Sequence, residues 1–239
     1  MFLKKYKYIM KYRYLNEVLL DWENSEENTQ DIIKASDIKK KIERKFIYHI
    51  PERIHKGTLR IFDDDWPLFD EYKNKVYLNG ERIELKENGR TASVYPSGDY
   101  EIYIENFEKI DICRYMFSVT HLAACPLWDT SKVSDFCSMF SETFCKELPP
   151  FKLSSAKDIS YMCTDSHWET IPMLDVTNVT NMKSMFSGCL NLKTVPMFKG
   201  INPPKQFLDG MFYNCRELDS KTKKAWGAVY DFETNKMRE

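Results

Sequence analysis

The chain has 239 residues, 43% of them hydrophobic and 30% charged, which leaves room for one large or two small globular domains. Its 35 basic and 36 acidic residues give a formal net charge of −1, so no whole-chain attraction draws it to nucleic acid or an anionic membrane. No apolar run approaches the roughly 20 residues of a membrane-spanning helix.

The start, MFLKKYKYIMKYRYL, is basic but lacks an uninterrupted apolar stretch. It is not read as a signal peptide, and synthesis in the cytoplasm is expected. Here Tyr6, Tyr8, Tyr12 and Tyr14 alternate with Lys4, Lys5, Lys7, Lys11 and Arg13. The tyrosines make a candidate arm that docks on a partner or on the chain itself. Stacking on nucleic acid bases and a disordered tail are the alternatives. Leu15, Val18, Leu19 and Trp22 share one helical face. Ser36-Asp37 can cap a second helix carrying Ile38 and Ile42, with Lys39-Lys40-Lys41 on a solvated face. Asp63-Asp64-Asp65 lacks the spacing and glycine of a calcium loop and reads as a polar turn. Val76-Tyr77-Leu78, then Asn79-Gly80, then Glu81 to Leu85 signals a β-hairpin over 76–85. The turn Pro96-Ser97-Gly98-Asp99 precedes a strand in which Tyr100, Ile102 and Ile104 alternate with charged or polar neighbours. Residues 1–95 are expected to form an N-terminal α+β domain.

From Arg114 onward the chain repeats. A Met-Phe pair recurs as Met116-Phe117, Met139-Phe140, Met185-Phe186 and Met211-Phe212, with a degraded copy at Met162-Cys163. Counting each Met as position 0, position −6 holds Ile110, Val133, Ala156 and Val179. Position −3 holds Cys113, Phe136, Ile159, Met182 and Leu208. Position +6 or +7 holds Leu122, Cys145, Trp168, Leu192 and Leu218. Three residues further on come Cys125, Leu148, Ile171 and Val195, each followed by a proline. The −6, −3, 0, +1 spacing predicts a short helix. The apolar residues from +6 onward match the L-x-x-L-x-L strand of a leucine-rich repeat, kept short by the proline. The expected fold is therefore α/β: a short leucine-rich-repeat solenoid of about five 23-residue units, each a short strand plus a short helix, over 96–218. Residues 219–239 are expected to form a helical cap and tail, with Ser220 at the helix start and Ala225, Trp226, Val229 and Tyr230 facing inward.

This segment resembles the BspA-type leucine-rich repeat family, whose copies run close to D-T/S-S-x-V-x-x-M-x-x-M-F-x-x-C-x-x-L. DVTNVTNMKSMFSGCLNL (Asp175–Leu192) is a close match, DTSKVSDFCSMF (Asp129–Phe140) a good one, and MFYNCREL (Met211–Leu218) carries the end of the motif. The copy around Met162 departs most, with Cys163 for Phe and Asp165-Ser166-His167 at the turn. The resemblance implies a leucine-rich solenoid used for adhesion or protein binding, as in bacterial surface proteins and phage genomes. It brings no catalytic residues.

The candidate partner-binding strip is the +12 column, Trp128, Phe151, Leu174 and Phe198, which strand alternation turns outward. Its burial beneath the following turn is the alternative. All seven cysteines lie in the repeat half, and their odd number argues against a disulfide framework. Cys189 and Cys215 fall at the family's buried position, and no C-x-x-C pair suggests zinc. His121 and Cys125 are a weak nucleophile pair, because the repeat makes Cys125 a core position. No phosphate loop, dinucleotide fingerprint or H-E-x-x-H occurs. The expected function is a non-enzymatic protein-binding or assembly module with no cofactor and no metal. It is read as a phage virion component (tail, fibre or decoration) or adhesion-type protein, with an intracellular adaptor or inhibitor of a host protein as the alternative. The expected partners are proteins, either other virion proteins or a host surface component. An enzyme with its site in 1–95 is the remaining class.

Overall fold

Alternation sets the first strand: Phe46, Tyr48 and Ile50 are buried, and the residues between them are half-buried. The computed structural model describes residues 45–239 apart from 53–55, 79, 127, 147, 203–204 and 239. The expected helices over 15–22 and from Ser36, and the arm carrying Tyr6, Tyr8, Tyr12 and Tyr14, lie outside the described residues. Contacts divide the chain into residues 1–43 and residues 44–239.

The strands are β1 (Lys45–Ile50), β2 (Lys56–Gly57), β3 (Val76–Leu78), β4 (Glu81–Arg82), β5 (Tyr95–Pro96), β6 (Gly98–Ile104) and β7 (Leu122–Ala124), with the short helix α1 (Phe69–Tyr72) before β3. Five of them form one antiparallel sheet in the order β4-β3-β6-β1-β7. β2 and β5 pair separately. Where a hairpin over 76–85 is expected, a shorter one pairs β3 with β4, with Leu78 opposite Glu81 and Gly80 at a φ of 85°. The sheet takes strands from both sides of residue 95. β7 is already part of the first repeat copy.

The strand-plus-helix solenoid expected for the repeats does not form. Among the described residues strand outweighs helix, and the strands of every sheet run antiparallel. Among the described residues no copy contains a helix, and only the first contains a strand, β7. The backbone explains why. The residue before each Met has positive φ: Tyr115, Ser138, Tyr161, Ser184 and Gly210. So does the third residue after it: Val119, Glu142, Asp165, Gly188 and Asn214. A left-handed residue ends a right-handed helix, so each copy becomes two tight turns. The Met N–H donates to the carbonyl at −3, as from Met139 to Phe136 at 3.1 Å. The N–H at +2 donates to −1, as from Ser141 to Ser138.

Successive copies are joined backbone to backbone. In copy one, the N–H groups of Cys113, Tyr115, Phe117 and Val119 donate to the carbonyls of Asp135, Cys137, Met139 and Ser141. In copy two, those of Phe136, Ser138, Phe140 and Glu142 donate to Asp158, Ser160, Met162 and Thr164. The next two junctions repeat the scheme. In this ladder every bond runs from the earlier copy to the later one, so its first copy is left with spare acceptors and its last with spare donors, while bonds outside it also run the other way, as from the Glu169 N–H to the Lys146 carbonyl. The flanking elements meet this need. The Trp66 indole N–H donates to the Ile112 carbonyl at 2.8 Å, and the Asp63 N–H to the Met116 carbonyl at 3.2 Å. At the other end the Gly210 N–H donates to the Asn235 carbonyl at 2.8 Å, and the Phe212 N–H to the Tyr230 hydroxyl at 3.3 Å.

The C-terminal cap is α2 (Ser220–Trp226) followed by the hairpin of β8 (Tyr230–Asp231) and β9 (Lys236–Met237). The Asp219 carboxylate accepts the Thr222 N–H at 2.7 Å and starts the helix. Trp226 and Tyr230 are buried as expected, Val229 packs on the core, and Thr222 rather than Ala225 completes the inner face. Among the described residues no helix is long and apolar enough to cross a membrane.

The columns at −6, −3, 0, +1 and +6 or +7 are all buried. Phe117 stacks on Phe140, and Phe186 on Phe212, each pair 5.9 Å apart. Where the third copy has Cys163 in place of Phe, the fully buried Trp168 packs edge-on against Phe140 at 5.7 Å. Val119 is the one β-branched residue among the left-handed positions, at φ 51° and exposed. That conformation costs about 1–2 kcal/mol. Val119→Gly is expected to raise the denaturation midpoint, the gain in unfolding free energy being up to about 1 kcal/mol after the glycine's extra unfolded-state entropy. A lower midpoint would show that the strain is absent.

Candidate functional site

The strip expected on the surface is inside the protein. Trp128, Phe151, Leu174 and Phe198 are all buried, Trp128 being the most exposed at 7%. Phe151 lies 5.1 Å from Trp128 and stacks on Phe140 at 5.9 Å, while Phe198 packs edge-on against Trp226 at 5.2 Å. The outward assignment assumed strand alternation across the +9 to +12 residues. No strand forms there, so the chain turns these side chains under the next copy.

The cysteines are free thiols, all buried except the half-buried Cys125. Burial pushes the Cys145 and Cys215 thiols up to about 12. The Cys189 thiol donates to the Cys163 carbonyl at 2.9 Å, and Cys215 to Phe186 at 2.9 Å. Thiols held protonated in this way are poor nucleophiles. Among the described residues no group of three or more His, Cys, Asp or Glu side chains is placed to hold a metal ion.

His121 joins the sheet to the first copy. Its Nδ1 accepts the Arg60 N–H at 2.9 Å, its own N–H donates to the Arg60 carbonyl, and its carbonyl accepts the His49 N–H at 2.8 Å. Burial, then Arg90, Arg60 and His49, holds the imidazole down at about 4 against an ordinary 6.5. An Nδ1 that accepts a hydrogen bond must be unprotonated. The unfolded chain therefore takes up this proton at a higher pH than the folded one. The stabilisation is complete above about pH 6.5 and is lost as pH falls toward about 4. His121→Asn, which keeps an acceptor without a titration, is expected to flatten the pH dependence of the urea midpoint in this window. An unchanged slope would remove His121 as its cause.

The surface between copies two, three and four carries a cleft of about 560 Å³. Phe151 and Leu153 lie at its base, and Met173, Asp175, Lys152 and Lys199 border it. Met173 is 58% exposed. Asp129, Lys152, Asp175 and Lys199 make one row along the stack with alternating charge. Lys152 Nζ lies 3.6 Å from the Asp129 carboxylate, and Lys199 Nζ lies 2.6 Å from that of Asp175. Lys199, with the Thr177 hydroxyl and N–H, holds the Asp175 carboxyl down at about 2. The Ser131 N–H and hydroxyl, then Lys152, lower that of Asp129. The Asn178 amide donates to the Ser154 carbonyl, and the Ser154 hydroxyl donates to the Ser131 carbonyl, so polar bonds tie the copies beside the row. The sequence reading missed this face. Its signal was the sign alternation at 129, 152, 175 and 199, at the period of the repeat itself.

The family described as "Mycoplasma protein of unknown function, DUF285" matches residues 101–195 and again 164–237. The chain belongs to this family. No curated protein and no solved structure matches the chain. The DUF285 matches enclose the cleft and the whole row from Asp129 to Lys199. They also enclose β7 and the C-terminal hairpin.

Proposed function

We propose that the chain is a non-enzymatic protein-binding and assembly module that works through the face around the cleft. The supporting observation is how the copies use their side chains. The repeated apolar columns and nearly all the thiols are buried in the core. Among the groups left outside is a polar row of alternating charge beside a cleft with an exposed methionine. Such a surface suits protein recognition, where an apolar centre is ringed by polar groups. The likeness of the repeats to the BspA type fits this reading. One setting is a phage virion component or adhesion-type protein, the other an intracellular adaptor.

A photoreactive amino acid at position 173 tests the reading in the producing cell. It is expected to give a discrete protein adduct, and one at the exposed Val94 is not. An adduct with structural particle proteins would favour the virion setting, and one with a single cellular protein the adaptor. No adduct at 173, or catalytic turnover by the purified chain, would overturn the proposal.

A further inference from the structure

The charge row has a property that one chain alone does not use. Read along the stack it runs minus, plus, minus, plus: Asp129, Lys152, Asp175, Lys199. Reversed, it runs plus, minus, plus, minus. A second copy laid across it by a two-fold axis between Lys152 and Asp175 therefore meets opposite charge at every step. Asp129 faces the partner's Lys199, and Lys152 faces the partner's Asp175. A two-fold interface brings the same patch from both subunits together, so the patch must be complementary to itself. A row of even length and alternating sign meets that condition.

We infer that this face joins two copies of the chain. All four side chains keep at least half of their surface, or close to it, open to solvent: 65%, 70%, 49% and 73% in row order. Each is thus able to reach a second partner while holding its first. Met173 stands two residues before Asp175, next to the axis, and borders the cleft. The same rotation sets it against the partner's cleft, which gives the pairing an apolar centre. The inference rests on the chain being an assembly module and names the partner as the chain itself.

A second alternating row provides a control. Lys146, Glu169, Lys193 and Asp219 are linked through their backbones, with Lys146 Nζ 3.3 Å from Glu169. None of these four residues lines the cleft.

Light scattering on the full chain after size-exclusion chromatography tests the inference, with a thermal melt of each variant to confirm folding. The wild type is expected at twice the chain mass in low salt. Lys199→Glu sets two acidic side chains opposite each other and is expected to raise the dimer dissociation constant at least about tenfold. Lys152→Glu, which does the same nearer the axis, is expected to act likewise. Adding Asp129→Lys to Lys199→Glu restores opposite charge across the axis, though it sets like charges side by side within the chain, and is expected to restore the dimer. Lys193→Glu is expected to leave it unchanged. A monomeric wild type, a dimer indifferent to Lys199→Glu, a swap that fails to restore it, or equal sensitivity at Lys193 would each overturn the inference. A monomer that still gives an adduct at position 173 would overturn the second-copy inference alone and leave the binding module in place.

Discussion

Phe151→Ala is expected to cost the folded chain about 3–5 kcal/mol, the usual range for removing a buried aromatic ring. The ring is enclosed on several sides. It stacks nearly parallel on Phe140 at 5.9 Å, lies 6.1 Å from Phe136, and meets Trp128 edge to face at 5.1 Å. Collapse into the hole would have to move side chains of two copies that the backbone bonds hold in register. A domain is stable by only about 5–15 kcal/mol, so the loss is a large part of the total. Chemical denaturation would read it directly. Any effect on partner capture should follow from unfolding. A variant that melts like the wild type yet loses its partner would return Phe151 to the surface column.

Trp226→Ala is expected to have a comparable effect by opening the end of the stack. The indole lies against Phe198 and Phe212, each 5.2 Å away, and its N–H donates to the Val195 carbonyl at 3.1 Å. Ring loss costs about 3–5 kcal/mol, and the orphaned carbonyl adds about 1–3 kcal/mol unless water reaches it. The damage should also be local. Hydrogen exchange is expected to speed up first at Gly210 and Phe212, whose N–H groups bond to the cap, and later at Phe117 in the first copy. Uniform acceleration at both ends would mean that the cap does not hold the last copy independently.

The core of the repeats was legible because burial is the strongest pressure on a sequence, and it acted on the same columns five times. Cys113, Phe136, Ile159, Met182 and Leu208 align in the text and are all fully buried in the fold. The local conformation was not legible. Apolar residues at −6, −3 and 0 fit a helix, but they fit a run of three-residue turns equally well. The deciding residues are the left-handed ones, and most carry no mark. Tyr161 and Glu142 are ordinary side chains in an uncommon conformation. Gly188, Gly210 and Asn214 were the visible clue, and only the later copies have them. The same error misplaced the Trp128 column, since a side chain's inward or outward sense was inferred from a strand that is absent. The hairpin read over 76–85 pairs only as far as Val76–Leu78 against Glu81–Arg82, and Leu85 bridges Thr91 instead.

The one-way ladder that joins the turns of successive copies constrains how such a protein lengthens. Every internal junction of that ladder presents the same donors and the same acceptors. A copy duplicated between Phe140 and Met162 would find both neighbours already suited to it. A copy appended after Met237 would face the β8–β9 hairpin, whose Asn235 carbonyl and Tyr230 hydroxyl are already engaged with Gly210 and Phe212. Growth is thus open in the interior and closed at the tips. Chains of this kind should differ in the number of copies they carry while keeping the same two ends.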